Sequence, residues 1–229
     1  MLFRSDNDLE HTDRTFGFDS AVAVVAEALD RLETTARSHG RVMIAETMGR
    51  YAGWIALEGG MAGGADVVLL PELPFSVDAV AEVCRAREAR DGYTLVCIAE
   101  GARAIGHDLT VQARLADSPD PIRLGGVGQW LQQQLQPRLS SEVRTTLLGH
   151  VQRGGSPTPF DRVLATRFGY HAAQLVERGE WGRMVTLAGS DCASVPLSAV
   201  AGRNRCVPLD HPLLRAARGL GVSLGEALS

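Results

Sequence analysis

A chain of 229 residues, 45% hydrophobic and 22% charged, can bury a full core, and the length suits one large domain or two small ones. The net charge of −4 and the lack of a basic run argue against a nucleic-acid partner, and no apolar run approaches the roughly 18 residues a membrane helix needs. Met1 to Asp8 is too polar for a secretory signal, so a cytoplasmic location is expected, with the widely spaced Cys84, Cys97, Cys192 and Cys206 as thiols and not in disulfides or a zinc site.

Arg4 to Thr15 is polar and turn-like and contains Asp6-Asn7-Asp8. Phe18, Ala21, Val22, Val25, Leu29 and Leu32 then recur at spacings of three and four, which predicts a helix ended by Ser38-His39-Gly40. Val42 to Ala45 reads as a buried strand, Tyr51 to Met61 as a small-residue helix closed by Gly63-Gly64, and Val67 to Leu70 as the next strand, followed by Pro71-Glu72. Val77 to Arg90 is helical by pattern, and Thr94 to Ala99 is a buried strand ending at Glu100. Alternating strands and helices imply a parallel sheet covered on both faces. Gly101 to Glu142 is less regular, with a loop at Asp117 to Pro121 and a helix at Val127 to Leu135. Beyond it come a strand at Thr145 to Leu148, a helix at Phe160 to Val176, a strand at Met184 to Ala188, a short segment at Val195 to Val200 and a helix at Leu213 to Arg218.

The stretch from Arg144 to Arg162 carries the chemistry. Gly149 breaks the strand, and Thr158, Pro159 and Asp161 stand in the order of a helix N-cap, first turn and third position. Between them His150, Gln152 and Arg153, with Gly154 and Gly155 behind, bring donors and free backbone N–H groups together for an anion. The same pattern would serve an ordinary strand-to-helix turn. No lysine is present, so all 23 basic residues are arginine; this removes a P-loop or Schiff-base lysine and suits bidentate phosphate binding.

Ligands of parallel sheets bind outside the carboxyl ends of the strands. Here those ends carry Met48-Gly49-Arg50, Glu72, Glu100 and His150 to Arg153. Guanidiniums and an imidazole suit a phosphate monoester and a carboxylate accepts from hydroxyls, so the implied ligand is a sugar phosphate.

These residues resemble the phosphofructokinase family, and they occur in its order: Asp6-Asn7-Asp8, Thr15 to Asp19, Met48-Gly49-Arg50 with Gly53, Gly63 to Asp66, Pro71-Glu72, Glu100, and Arg144 through Asp161. The fold class this implies is α/β, a parallel-sheet three-layer sandwich with an incomplete second α/β domain. Residues 1–16 would be a remnant of the donor-binding domain, 17–152 the sugar-phosphate domain, and 153–229 a return segment of the donor domain plus the tail.

The resemblance also implies roles. Asp6 would be the general base for the 1-hydroxyl of fructose 6-phosphate, with Asp8 shaping the field beside it and Arg50 stabilising the moving phosphoryl group. Met48, Gly49, Arg50 and Glu100 would contact the sugar, and His150 and Arg153 the 6-phosphate. Arg41 and Arg144 would reach that phosphate from a neighbouring subunit, which implies a homo-oligomer, a dimer or tetramer. The donor would be ATP or pyrophosphate with Mg2+, the metal being held outside this sequence.

Family subunits begin with a further portion carrying glycine-rich donor turns, so the return segment from about Gly154 is expected to show exposed apolar surface or an unpaired sheet edge. Glu33, Asp91 and Gly92 stand where allosteric members place basic residues, so no anionic-effector site is expected. Two other readings stay open: a non-catalytic member that binds sugar phosphate or joins intact subunits, and a dinucleotide-binding oxidoreductase using Gly125, Gly126 and Gly128.

Overall fold

A four-stranded sheet, all of it parallel, organises the chain. The structure, a computed structural model, describes residues 6–107, 111–114, 122–124 and 126–227. The expected loop at Asp117 to Pro121, along with Gly125, lies outside them. In chain order the first elements are α1 (Phe18–His39), β1 (Val42–Thr47), α2 (Trp54–Ala62), β2 (Val67–Leu69), α3 (Val77–Arg90) and β3 (Thr94–Ala99). There follow β4 (Val111–Arg114), β5 (Ile122–Leu124), α4 (Val127–Leu135) and β6 (Val143–Leu147). Strand order is β2-β3-β1-β6, in a register that sets Thr47 beside Ala99 and Glu46 beside Leu147.

Every residue of β1 and β3 is buried, as a sheet covered on both faces requires. On one face Ala45, Val68 and Cys97 pack with Val25 and Leu29 of α1 and Trp54 and Leu57 of α2; on the other Ile44, Leu69 and Val96 pack with Val80 of α3 and Leu131 of α4. This is the expected three-layer arrangement. The antiparallel pairing of β4 with β5 was not expected, because strands this short leave little periodicity to read.

The helix predicted from Tyr51 starts at Trp54 instead. Gly49 to Gly53 forms a loop, and Gly49 has a φ of 133°, where a Cβ would come within 2.9 Å of the Ala52 carbonyl oxygen.

After a 3₁₀ turn at Gly149–Arg153, α5 (Pro159–Glu177) begins as predicted, with Thr158 Oγ1 accepting from the Asp161 N–H at 3.3 Å and Pro159 at its first position. Asp161 also caps α1: its Oδ2 accepts from Ser20 N at 2.7 Å and Ser20 Oγ at 2.5 Å, and Thr158 Oγ1 donates to Asp19 Oδ2 at 2.6 Å. Two helix starts thus share one buried polar knot. Asp161→Ala should lower stability by about 2 kcal/mol, read as a fall in the urea midpoint at constant slope; an unchanged midpoint would show the knot to be energetically idle.

The rest comprises β7 (Arg183–Ala188), β8 (Asp191–Pro196), α6 (Leu197–Val200) and α7 (Pro212–Gly219). β7 and β8 form a separate two-stranded antiparallel sheet, whose small core of Leu164, Phe168 and Leu187 is shared with α5. Phe160 and Val163 in the first turns of α5 are 47% and 61% exposed, and Tyr170 and Trp181 are 69% and 72% exposed. The expected exposed apolar surface is therefore present.

Leu214 and Ala217 of α7 join the cluster around Trp54, and Ser223 pairs in parallel with Val67. Apolar burial drives this docking: the amphipathic α7 lays Leu214 and Ala217 against α2, whose residues apart from Glu58, Met61 and Ala62 are buried.

Candidate active site

Three parallel strands end at one rim, and each hands over a side chain. β1 runs into Met48, Gly49 and Arg50; β3 into Glu100; β6 into the 3₁₀ turn that carries His150 and Arg153. Backbone bonds lock the ends together: Glu100 N donates to Thr47 O at 2.9 Å, Gly101 N to Gly49 O at 3.1 Å, and Leu148 N to Glu46 O at 3.0 Å. Gly101 must be glycine, since a Cβ would sit 2.0 Å from the Arg50 carbonyl oxygen. Met48 and Gly49 are buried, while His150 and Arg153 are exposed.

Asp6 arrives from the chain's first described loop. Asn7 makes that approach possible by adopting a left-handed φ of 59°, and its buried Oδ1 accepts from Thr15 N at 3.0 Å and Thr15 Oγ1 at 3.3 Å. Burial raises the Asp6 carboxyl to about 6, the neighbouring Asp8 adding to the rise and Arg153 opposing it. Glu100 is pushed up to about 7 by burial first, then by the charges of Asp6 and Glu46, against a hydrogen bond from the Gly49 backbone and the charge of Arg50. Asp6, Asp8, Arg50, Glu100 and Arg153 therefore share one electrostatic field.

Arg41 and Arg144 are not at this rim. They lie at the amino ends of β1 and β6, where both guanidiniums hold Glu142, Arg41 through Nε at 2.6 Å. Within one chain they stand at the opposite end of the sheet from His150.

Four expectations about nearby groups change. Glu72 is not offered to a ligand: its carboxylate accepts from Gly53 N at 3.0 Å and Val207 N at 2.7 Å. Gln152 is fully buried, with Oε1 accepting from Met48 N at 3.3 Å and Nε2 donating to Gly149 O at 3.0 Å. It joins the Arg50 loop to the His150 turn. The Gly154 N–H is bonded to Val151 O at 3.0 Å and is not free for an anion. Glu46 fills the start of α4, accepting from Gly126 N at 2.9 Å and Gly128 N at 2.8 Å. That removes the dinucleotide reading, because the helix terminus a pyrophosphate would need already holds a carboxylate.

Glu46 and Gln152 could have been suspected in the sequence only from their closeness to the motif residues, since a buried bridging role leaves no local pattern. Among the described residues no group of three or more His, Cys, Asp or Glu side chains is placed to hold a metal ion. No helix among the described residues is long and apolar enough to cross a membrane.

Comparison with known proteins identifies the family. The chain is 49% identical over 224 residues to an ATP-dependent 6-phosphofructokinase of Chloroflexus aurantiacus, covering 97% of this chain and 61% of that protein. It is 50% identical over 202 residues to a pyrophosphate–fructose 6-phosphate 1-phosphotransferase of Streptomyces coelicolor, covering 88% and 59%. The crystal structure of a pyrophosphate-dependent phosphofructokinase from Marinobacter aquaeolei shares the fold with a TM-score of 0.77 at 24% identity, over 96% of this chain and 59% of that one. The chain thus spans about three fifths of the length of these relatives. Residues 5–176, from the aspartate loop through α5 and including every strand end at the rim, match the family described as phosphofructokinase, and the chain belongs to that family.

Proposed function

We propose that this chain takes part in phosphorylating fructose 6-phosphate at its 1-hydroxyl to fructose 1,6-bisphosphate, as a phosphotransferase of glycolysis in the cytoplasm. The supporting observation is the gathering of an acid with a raised pKa, Asp6, with Arg50, Glu100 and Arg153 at one strand-end rim. Asp6 accepts the proton of the 1-hydroxyl as its oxygen bonds to the terminal phosphorus of the donor, and the bond from that phosphorus to the leaving phosphate oxygen breaks. Arg50 stabilises the charge that moves with the phosphoryl group, and Asp8 shapes the field beside it. Met48 and Gly49 line the sugar, Glu100 bonds one of its hydroxyls, and His150 and Arg153 hold the 6-phosphate. Mg2+ would arrive with the donor. Both ATP and pyrophosphate stay in play as that donor, since relatives named for each are about equally identical. Residues 17–152 form the sugar-phosphate domain in this reading, residues 1–16 a remnant of the donor domain, and residues 153–229 its return segment and the C-terminal tail.

A coupled assay on this chain with fructose 6-phosphate and each donor in turn tests the reading. Turnover with either donor supports it. Calorimetric binding of fructose 6-phosphate without turnover would make the chain a non-catalytic sugar-phosphate binder. Binding of neither sugar nor donor would overturn it.

Arg41 and Arg144 serve the 6-phosphate of a neighbouring subunit in this scheme, with Glu142 holding both guanidiniums in place until then. Arg144→Ala should weaken fructose 6-phosphate binding by about tenfold, the loss of one charge-assisted contact. The same change should have no effect on dilute, dissociated chain, with calorimetry and sedimentation run on matched samples; a loss that persists in the monomer would contradict the assignment.

A further inference from the structure

The segment Arg205 to Val207 lies beyond the residues that match the family, yet it touches both loops of the candidate site. On one side the Arg205 N–H donates to Asp8 O at 2.7 Å, and its Nη1 donates to Asp13 O at 3.1 Å and to Asn7 O at 3.5 Å. These bonds hold the aspartate loop by its backbone, while Thr15 holds it through the Asn7 side chain. On the other side the segment is tied to the Arg50 loop and to the start of α2. Arg205 O accepts from Trp54 Nε1 at 2.8 Å, and the guanidinium carbon sits 4.4 Å from the Trp54 ring centroid. Cys206 Sγ lies 3.4 Å from Tyr51 O, and Val207 N donates to Glu72, whose carboxylate also holds Gly53 N. Trp54 is only 2% exposed, so the anchor at this end is rigid.

Three consecutive residues therefore tie the two loops to each other. We propose that Arg205 is a positioning residue, the grip by which the tail strap 205–207 sets the aspartate loop at a fixed place relative to the loop of Arg50. The proposal rests on the reading that Asp6 and Arg50 act on the same phosphoryl transfer. Because Arg205 bonds backbone carbonyls of the loop, it acts on the direction of Asp6 and Asp8 and not on the reacting atoms.

Arg205→Met keeps an apolar stem over Trp54 and removes the guanidinium donors. Its effect is read in two ways: by the pH titration of the Asp6 carboxyl carbon by NMR, assigned by its absence in Asp6→Asn, and by steady-state kinetics. Released toward water, Asp6 should titrate about one pH unit lower than in the wild type. Turnover should fall about tenfold through misplacement while KM for fructose 6-phosphate stays within about twofold. Arg205→Lys keeps the stem and one donor, should restore most of both readouts, and carries the test if the methionine variant fails to fold. An Asp6 titration unmoved in the variants, with only the thermal midpoint lowered, would reduce Arg205 to a structural clamp and overturn the proposal. A raised KM with unchanged turnover would also overturn it. If the wild type turns over neither donor, the proposed function fails while the Asp6 titration still decides the positioning role.

Discussion

Asp6→Asn should lower turnover of fructose 6-phosphate by about 10² to 10⁴-fold, the range for losing a positioned general base, and leave affinity for the sugar phosphate within about twofold. The asymmetry follows from placement. Asp6 lies on the loop before α1, whereas His150 and Arg153, assigned to the 6-phosphate in the proposed reading, are set by the separate turn after β6. A base works only when ionised, and the Asp6 carboxyl is raised to about 6, so turnover in the wild type should climb as pH rises through about 6 and then level off. The asparagine variant should lack that limb. The raised value also favours the proton transfer, because a base near the operating pH combines a large ionised fraction with real proton affinity. Calorimetry beside kinetics separates the two effects; equal loss of affinity and turnover would strip Asp6 of the role.

The sheet was legible because its strands follow their own physics. Val42 to Ala45 and Thr94 to Ala99 are continuous apolar runs bounded by turn residues, and such runs become strands buried on both faces. Once strand direction is known, the rim follows, since Arg50, Glu100 and His150 each come just after an apolar run. The helix start at Thr158-Pro159 was legible for the same reason: an N-cap and a proline at the first position act locally. Glu72 and Gln152 were harder. A carboxylate at a strand end and an amide in a polar turn look alike whether they face a ligand or a backbone N–H, and only the approach of Gly53, Val207 and Met48 decides. Arg205 was invisible for a stronger reason, because its partners at Asn7, Asp8 and Asp13 are nearly two hundred residues away and its bonds are to backbone.

A site that keeps two acids half-buried should cost stability, and the cost should depend on pH. Folding raises Asp6 from an ordinary 3.8 to about 6 and Glu100 from 4.5 to about 7, in each case chiefly because burial disfavours the charge. Below about pH 4 both are protonated whether the chain is folded or not, so their contribution is fully present. As pH rises through 6 and 7 the folded chain must ionise groups that the unfolded chain has already ionised, and that contribution is lost. A tenfold change in an acid's dissociation constant corresponds to about 1.4 kcal/mol. Part of the rise at Glu100 comes from the charge of Asp6, and water reaches part of the site, so the pair together should amount to on the order of 3 kcal/mol. The double variant Asp6→Asn with Glu100→Gln should therefore be inactive yet more stable than the wild type by that order at pH 8, with little difference at pH 4. Urea unfolding at pH 4, 6 and 8 checks it, and a variant less stable than the wild type at pH 8 would mean that Arg50 and Arg153 compensate the buried charges fully. The expected gain locates the instability at the proposed site, since the burial that raises Asp6 into the range a general base of the proposed reaction needs is the same burial that weakens the fold there.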